Sequence, residues 1–130
     1  MKVERFRMAK ILIVEDNQLN FELSRDILTV NGHETEHAEN CNTFLSKVDS
    51  FMPDLILMDI GLPGTNGIDC FKLLRQNAAF INVPVLAFTA SVMSDQITEI
   101  LEAGFNGLIE KPIRIKTFLS AINDALASKL

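Results

Sequence analysis

Short apolar runs alternate along the chain with longer segments in which apolar residues recur every three or four positions. A continuous apolar run bounded by turn residues is typical of a buried strand, and the longer period is typical of an amphipathic helix. The pattern predicts strands over residues 10–14, 33–38, 55–58, 84–88 and 106–110. It predicts helices from the polar stop at 15–17 to residue 30, and over 42–50, 67–77, 93–103 and 115–127.

The helical segments carry apolar stripes that we expect to face the core. Gly32 and Gly104 follow two of these segments, where a glycine commonly closes a helix. The expected inward residues are Leu19, Leu23, Ile27 and Val30; Ile68, Phe71 and Leu74, with Leu73 as a further candidate; Met93, Ile97, Ile100 and Leu101; and Ile115, Phe118, Leu119, Ile122, Ala125 and Leu126.

Alternation of apolar strands with amphipathic helices predicts a parallel sheet that is covered by helices on both faces. With right-handed crossovers, five such strand–helix units predict a doubly wound (βα)5, flavodoxin-like α/β fold with strand order 2-1-3-4-5. The second predicted strand, HETEHA, is polar and suits an edge of the sheet. In this fold the ligand crevice lies at the carboxyl ends of the strands, between strands 1 and 3.

Polar side chains follow the predicted strands at that edge. Taken singly, a strand-end aspartate is usually a turn former or a helix cap, and a lysine is usually solvated. Convergence of several such residues on one crevice favours a functional site instead. Three carboxylates close together repel one another unless a cation joins them, and oxygen ligands without a nearby His or Cys indicate Mg²⁺. The converging residues are Glu15, Asp16, Asp59, Thr89 and Lys111.

The 130 residues carry a net charge of −5, with 12 basic and 17 acidic side chains. This size predicts one domain, and the acidic balance argues against direct nucleic-acid binding. No run approaches the 18 or so apolar residues of a transmembrane helix, and the charged start does not resemble a secretory signal. We expect a cytoplasmic protein without membrane insertion. Cys41 and Cys70 form no CxxC pair and are expected to be reduced thiols.

Four motifs, ILIVEDN, PDLILMDIGLPGTNG, LAFTA and EKPI, occur in this order along the chain. Together they resemble the response-regulator receiver domain (CheY-like) of two-component signalling. The resemblance implies an N-terminal arm over residues 1–9 and a receiver domain over 10–130 with no output domain. In the segment EDNQLN the chain is most similar to single-domain regulators of the DivK type, and receivers of hybrid histidine kinases are similar there too.

The resemblance implies a phosphoprotein rather than an enzyme, with at most slow autodephosphorylation. Asp59 would be the phosphoacceptor, attacking a phosphohistidine of a partner to form an aspartyl phosphate, which is known carboxylate chemistry. Mg²⁺ would be held by the carboxylates of Asp16 and Asp59, by the backbone carbonyl of Gly61 and, through water, by Glu15.

The resemblance also implies a phosphoryl-binding and switch set. Lys111 would pair with the phosphoryl oxygens, and Thr89 would give its hydroxyl to the same group, with Ala90 beside it in the loop. Lys111–Pro112 resembles the family's cis peptide bond, which aims the lysine inward. The chain departs from the family at Leu108, where receivers often carry an aromatic residue, so the aromatic half of the switch is missing.

The implied partners are a histidine kinase or a histidine phosphotransfer protein, and a downstream regulator or kinase protein. The predicted stripe of the first helix leaves Phe21 on the opposite, exposed side, so Asn20, Phe21 and Ser24 form a predicted partner face. Alternatively, Phe21 packs on a neighbouring loop or on the arm. His33 and His37 are expected to be plain surface residues on the edge strand.

Three other functions remain open at this point. A flavodoxin-like cofactor binder shares the fold but would need a phosphate-binding loop after strand 1, where this chain has acids. A Mg²⁺-dependent phosphatase with an aspartyl nucleophile typically needs a second acid two residues later, where this chain has Gly61. A receiver fragment of a hybrid kinase, acting as a phosphoryl shuttle, would keep the same chemistry.

Overall fold

The computed structural model describes residues 8–90 and 93–127 of the chain. Within them, five parallel strands form one sheet in the order β2-β1-β3-β4-β5, which confirms the predicted topology. None of the helices in these two ranges is both long and apolar enough to cross a membrane. The elements are β1 Lys10–Val14, α1 Gln18–Val30, β2 Glu34–Ala38, α2 Cys41–Phe51, β3 Leu55–Asp59, α3 Gly67–Arg75, the 3₁₀ turn Ala78–Phe80, β4 Val85–Thr89, α4 Ser94–Ala103, β5 Gly107–Glu110 and α5 Ile115–Ala127.

The core consists of two layers, one on each face of the sheet, because β3 and β4 are buried along their whole length. One layer contains Phe44 of α2, Phe71 of α3 and Ile100 of α4. The other contains Leu28 of α1 and Phe118 of α5. Helices therefore cover both faces, as expected for a doubly wound sheet.

Asparagine side chains start three of the helices. Asn17, Asn40 and Asn66 each accept a hydrogen bond from the backbone amide three residues later. Such caps satisfy amides that have no partner inside the helix. Because these helices follow β1, β2 and β3 directly along the chain, the caps also fix the ends of the loops that border that edge.

The predicted inward stripe of α1 is wrong in three of its four residues, since only Ile27 packs against the core. Leu19, Leu23 and Val30 are 76%, 44% and 86% exposed, whereas Phe21 and Ser24 are buried. The pattern misled because the true inner face includes a serine. Its hydroxyl donates to the carbonyl of Asn20 in its own helix at 3.0 Å, so a polar residue is buried there with its hydrogen bond made.

The other helix faces agree better with the sequence pattern. Ile68, Phe71, Leu74, Ile100, Phe118, Ile122 and Ala125 are buried, as predicted. Four predicted inward residues are instead exposed, namely Leu73, Met93, Leu101 and Ile115. Helix α3 also ends at Arg75 rather than at residue 77, because a turn at Gln76 leads directly into the 3₁₀ turn that Asn77 caps.

The expectation of two reduced thiols is also wrong. Cys41, the first residue of α2, and Cys70 in α3 are joined by a disulfide, with their Cα atoms 5.7 Å apart. Both residues belong to the same core layer and are buried. They meet because α2 and α3 pack side by side on one face of the sheet, a proximity that sequence spacing does not reveal.

Candidate functional site

Three carboxylates lie together at the carboxyl edge of the sheet. Glu15 follows β1 and Asp59 ends β3, and the register pairs the preceding residues Val14 and Met58 on these neighbouring strands. One carboxylate oxygen of each of Glu15, Asp16 and Asp59 lies within 4.8 Å of those of the other two residues. Glu15 and Asp59 are buried, whereas Asp16 is exposed, so the cluster opens to solvent on one side.

Lys111 bridges the two buried acids. Its Nζ lies 3.0 Å from Oε1 of Glu15 and 3.2 Å from Oδ2 of Asp59. The peptide bond from Lys111 to Pro112 is cis, as predicted. The amide of Lys111 donates to the carbonyl of Thr89 at 2.8 Å, which ties the chain after β5 to the end of β4. The lysine that the sequence placed at this edge therefore reaches the acids that end β1 and β3.

The environment shifts the ionisation of this network. The pKa of Glu15 is raised to about 7, mainly by burial and also by the charge of Asp59. The hydrogen bond from the amide of Asn17 opposes this rise. Burial alone would lower the pKa of Lys111, but its hydrogen bond and charge interaction with Glu15, together with the charge of Asp59, raise it on balance. The charges of the two buried acids thus repel one another, and Lys111 forms an ion pair with both.

The donor set suits a hard cation. Within the cluster every candidate ligand is a carboxylate oxygen, and neither His nor Cys contributes to it. Gly61 lies next to it, because its amide donates to Oδ1 of Asp59 at 3.0 Å, and it is exposed. Carboxylates, a backbone carbonyl and room for water are what Mg²⁺ takes in proteins, so the residues present fit this ion.

Thr89 and Ala90 lie on the next strand of the same edge. Thr89 is the last residue of β4 and is buried, while Ala90 is exposed just beyond it. The register pairs Asp59 with Phe88 and Thr89 with Glu110, so Thr89 lies between the strand that carries the acid and the strand that leads to the lysine. Ser91, the following residue of this loop, lies outside the described residues.

His37 is part of the site's support, contrary to the expectation of a plain surface residue. Its Nε2 lies 2.7 Å from the carbonyl oxygen of Glu15 and donates to it, since a carbonyl can only accept. Its ring stacks on Phe21 at 3.7 Å between centroids and 7° between planes. Phe21 is therefore only 7% exposed, and the predicted partner face of Asn20, Phe21 and Ser24 is wrong in two of its three residues.

The position of His37 near the end of β2 was the signal that sequence reasoning missed. A side chain at the carboxyl end of an edge strand can reach across to the loop after β1. His33, which precedes the other end of β2, is buried, and its Nδ1 accepts from the amide of Ala9 at 3.1 Å. Burial lowers the pKa of His33 below its ordinary value.

Leu108 lies in β5, half buried, and packs against the core layer of α2, α3 and α4. A groove of about 450 Å³ runs along the outer side of β5. Its lining extends from Leu108 through Lys111 to Arg114, Thr117 and Ala121. The position at which receivers often carry an aromatic residue therefore shares a groove with the lysine of the site.

Comparisons with known proteins agree with this geometry. A family model described as the response regulator receiver domain matches residues 11–123. The chain is 37% identical over 116 residues to the polar-differentiation response regulator DivK of Brucella anthropi, covering 89% of this chain and 94% of that protein.

Solved structures with similar folds include two that cover nearly the whole chain. One is the chemotaxis response regulator CheY4 of Vibrio cholerae, with a TM-score of 0.86 and 25% identity over 92% of this chain and 99% of that chain. The other is the signal receiver domain of a histidine kinase from Syntrophus aciditrophicus, with a TM-score of 0.84 and 28% identity over 92% and 91%.

Proposed function

Because the chain belongs to the response regulator receiver family of two-component signalling, we propose that Asp59 accepts a phosphoryl group from a partner's phosphohistidine. The observation that carries this proposal is the ion pair of 3.2 Å between Lys111 and Asp59 inside a cluster of three acids. A carboxylate that ends a buried strand is held rigidly, and the lysine supplies positive charge where the phosphoryl oxygens would lie. Phosphoryl transfer depends mainly on such positioning and charge stabilisation.

In the proposed step, an oxygen of Asp59 forms a bond to phosphorus while the bond from phosphorus to the imidazole nitrogen breaks. The bond's electrons remain on the departing nitrogen. The imidazole leaves neutral when its other nitrogen already carries a proton, and otherwise it takes a proton from solvent. The product is an aspartyl phosphate, a covalent acyl phosphate on the protein. The chain is thus a phosphoacceptor, and we propose no turnover beyond slow autodephosphorylation.

The residues proposed to hold Mg²⁺ are Asp16 and Asp59 through carboxylates, Gly61 through its carbonyl and Glu15 through water. When bound, this ion would neutralise phosphoryl charge. Lys111 then has two roles in the proposal. Before transfer it offsets the repulsion between Glu15 and Asp59, and after transfer it pairs with the new phosphoryl oxygens.

We propose that the new phosphoryl group is sensed through β4. Thr89 would donate its hydroxyl to the phosphoryl group and draw Ala90 with it, while Lys111 and Pro112 frame the site from the next strand. New charge on Asp59 creates an acceptor for both Thr89 and Lys111, which is how such a modification orders a neighbouring loop. Leu108 would take a smaller part than an aromatic residue would.

The partners proposed are a histidine kinase or histidine phosphotransfer protein, and a downstream regulator or kinase protein. Donor docking is supported by the exposed side of α1, the helix that follows Asp16, where Leu19 and Leu23 are open to solvent. Of the predicted partner face only Asn20, which is half buried, remains available there. Since these partners act inside the cell, we propose a cytoplasmic location and no direct contact with nucleic acid.

A free regulator of the DivK type is supported by coverage, since the alignment spans 94% of DivK from Brucella anthropi. The likeness to a histidine kinase receiver from Syntrophus aciditrophicus supports the alternative of a phosphoryl shuttle within a longer kinase. Phosphotransfer profiling against the host's full set of histidine kinases would separate them, because a free regulator accepts from a kinase on another chain. The acidic loop after β1 and the family match speak against a cofactor binder.

The proposal is tested by phosphorylating the protein with acetyl phosphate in the presence of Mg²⁺ and measuring the added mass. Asp59→Asn should abolish the hydroxylamine-sensitive adduct, and it should weaken Mg²⁺ binding, measured by NMR shifts around the crevice. Asp124→Asn, an exposed acid on α5, is the matched control and should behave as the wild type. An Asp59→Asn variant that still binds Mg²⁺ normally and is still phosphorylated would place the site elsewhere.

A further inference from the structure

We propose that Cys41 and Cys70 form a thiol–disulfide exchange site. A small dithiol reductant attacks the sulfur of Cys41, and in the opposite direction Cys41 attacks a small disulfide oxidant. The two residues come from different helices and are bonded in the folded protein. Nothing in the phosphoacceptor chemistry uses them. The pair is therefore a second site of covalent chemistry on the chain, separate from the acids.

Both cysteines are buried, at 3% and 0% exposed, but only Cys41 borders a groove. A groove of about 340 Å³ is lined by Asn40, Cys41 and Asn42 on one side and by residues 63–65 on the other, whereas Cys70 is absent from its lining. Residues 63–65 are exposed, so the groove opens to solvent. Thiol–disulfide exchange requires in-line approach to one sulfur, and its rate depends on which sulfur can be reached. Because the groove borders Cys41 and not Cys70, the proposal places the first attack at Cys41.

The local field also favours Cys41. It is the first residue of α2, an 11-residue helix that Asn40 caps. A helix N-terminus stabilises a thiolate, which is the reactive form in exchange. Cys70 lies in the fourth position of α3 and is fully buried. Cys41 is thus suited to be the attacking sulfur and Cys70 the resolving one.

The exchange can be written with all atoms and electrons accounted for. In the reducing direction, a thiolate of the dithiol bonds to the sulfur of Cys41, and the departing Cys70 thiolate takes a proton. The second thiol of the reductant then displaces Cys41, so that two electrons pass to the protein and the reductant leaves as a disulfide. In the oxidising direction, Cys41 attacks a small disulfide and Cys70 displaces the remaining thiol.

The bond connects α2 to α3, whose start packs on the segment that follows Asp59. Helix α3 begins at Gly67, whose amide donates to the carbonyl of Ile60 at 2.9 Å. A Cβ at Gly67 would lie 2.3 Å from the carbonyl oxygen of Asp59, so the start of α3 is packed directly on that backbone. The groove walls are the first turn of α2 and the loop after β3. Breaking the bond should therefore alter the environment of residues 61–65.

The access argument is tested on two variants of the full chain. Cys70→Ala leaves Cys41 as the remaining thiol, and Cys41→Ala leaves Cys70. Treated with glutathione disulfide under native conditions, Cys70→Ala should form a mixed disulfide about tenfold faster or more, because access governs exchange. Equal rates, or modification of either variant only in denaturant, would overturn the assignment.

The wild type supplies a test that does not depend on variant folding. The rate at which dithiothreitol reduces the bond should rise in proportion to its concentration, because attack occurs in the folded protein. A rate that is independent of dithiothreitol would mean that unfolding limits the reaction and that the bond is structural only. A wild-type chain that stays a dithiol in excess glutathione disulfide would also overturn the proposal.

The link to the loop is read from amide chemical shifts in the unphosphorylated protein, so it does not depend on the proposed phosphoacceptor role. Reduction should shift the amides of residues 61–65, and the double variant Cys41→Ala/Cys70→Ala should not respond to reductant. If reduction of the wild type leaves these amides unmoved, the exchange is not coupled to the segment after Asp59.

Discussion

The Nε2 atom of His37 donates to the carbonyl oxygen of Glu15 at 2.7 Å, so the edge strand β2 holds the backbone from which two of the three acids extend. We expect His37→Leu, which keeps apolar contact with Phe21 but lacks the donor, to weaken Mg²⁺ binding about tenfold, as is usual when a group that orients a ligand is lost. Mg²⁺ titration followed by amide shifts at the crevice measures this.

His37→Gln is the matched variant, because its amide nitrogen can donate to the same carbonyl. It should recover most of the Mg²⁺ affinity. If both variants lose affinity equally, or if affinity falls only in step with thermal stability, then the histidine contributes packing alone and does not position the acids.

The raised pKa of Glu15 predicts how stability without metal depends on pH. A group whose folded pKa, about 7, exceeds its ordinary value of 4.5 contributes stability that is fully present below the ordinary value and is lost as pH rises through about 7. In EDTA, Glu15→Gln should therefore gain stability relative to the wild type over this window. Saturating Mg²⁺ should remove the gain, and chemical denaturation at several pH values with and without the ion measures both.

The lowered pKa of His33 predicts that stability changes with pH in the opposite direction. Burial lowers its folded pKa below the ordinary value of 6.5, so its contribution to stability is present above pH 6.5 and is lost as pH falls toward the lowered value. Its neutral Nδ1 accepts from the amide of Ala9. His33→Asn, whose side-chain oxygen can accept in the same place, should lack this loss. Identical pH dependence of the free energy of unfolding in both proteins would contradict the assignment.

Gly67 should tolerate no side chain, because the Cβ of an alanine would lie 2.3 Å from the carbonyl oxygen of Asp59 and 2.7 Å from the Cα of Ile60. We expect Gly67→Ala to cost about 3 kcal/mol in the free energy of unfolding, the upper end of overpacking effects. Gly64→Ala is the control. Its φ of +72° disfavours alanine but its surroundings are open, so about 1 kcal/mol is expected. Equal losses in urea denaturation would show that the backbone contact yields easily.

Because position 108 is a leucine, we expect the conformational change caused by phosphorylation to be small in β5 and α5. A leucine has no hydroxyl to leave in water, so its buried and exposed positions differ less than those of an aromatic residue would, and a ligand shifts an equilibrium only by its differential affinity. Beryllofluoride, which imitates the phosphoryl group, should shift amides at Thr89, Ala90 and along α4 strongly, and those of β5 and α5 weakly.

The check on that prediction is Leu108→Ala. It should leave beryllofluoride binding and phospho-dependent partner binding intact. A large reorientation of Leu108 on activation, or loss of phospho-dependent partner binding with phosphorylation preserved, would show that leucine performs the aromatic residue's role.

The sequence predicted the sheet, its strand order and the meeting of Glu15, Asp59 and Lys111, because buried strands are continuous and parallel strand ends share an edge. It did not predict the orientation of α1, since a buried serine interrupts the apolar pattern there. The sequence also did not predict the bond between Cys41 and Cys70, because contacts between neighbouring helices depend on packing angles that local sequence patterns do not reveal.

The two outer strands of the sheet have a further consequence for how the protein behaves at high concentration. Along β2, Glu34 and Glu36 place charge on an open edge, and Lys47 pairs with Glu36 at 3.2 Å. The opposite edge strand, β5, has only four residues, and Pro112, which lacks an amide hydrogen, follows soon after. Short, charged edges resist strand-to-strand aggregation. Self-association by sheet extension is therefore disfavoured, even though the chain carries exposed leucines on α1.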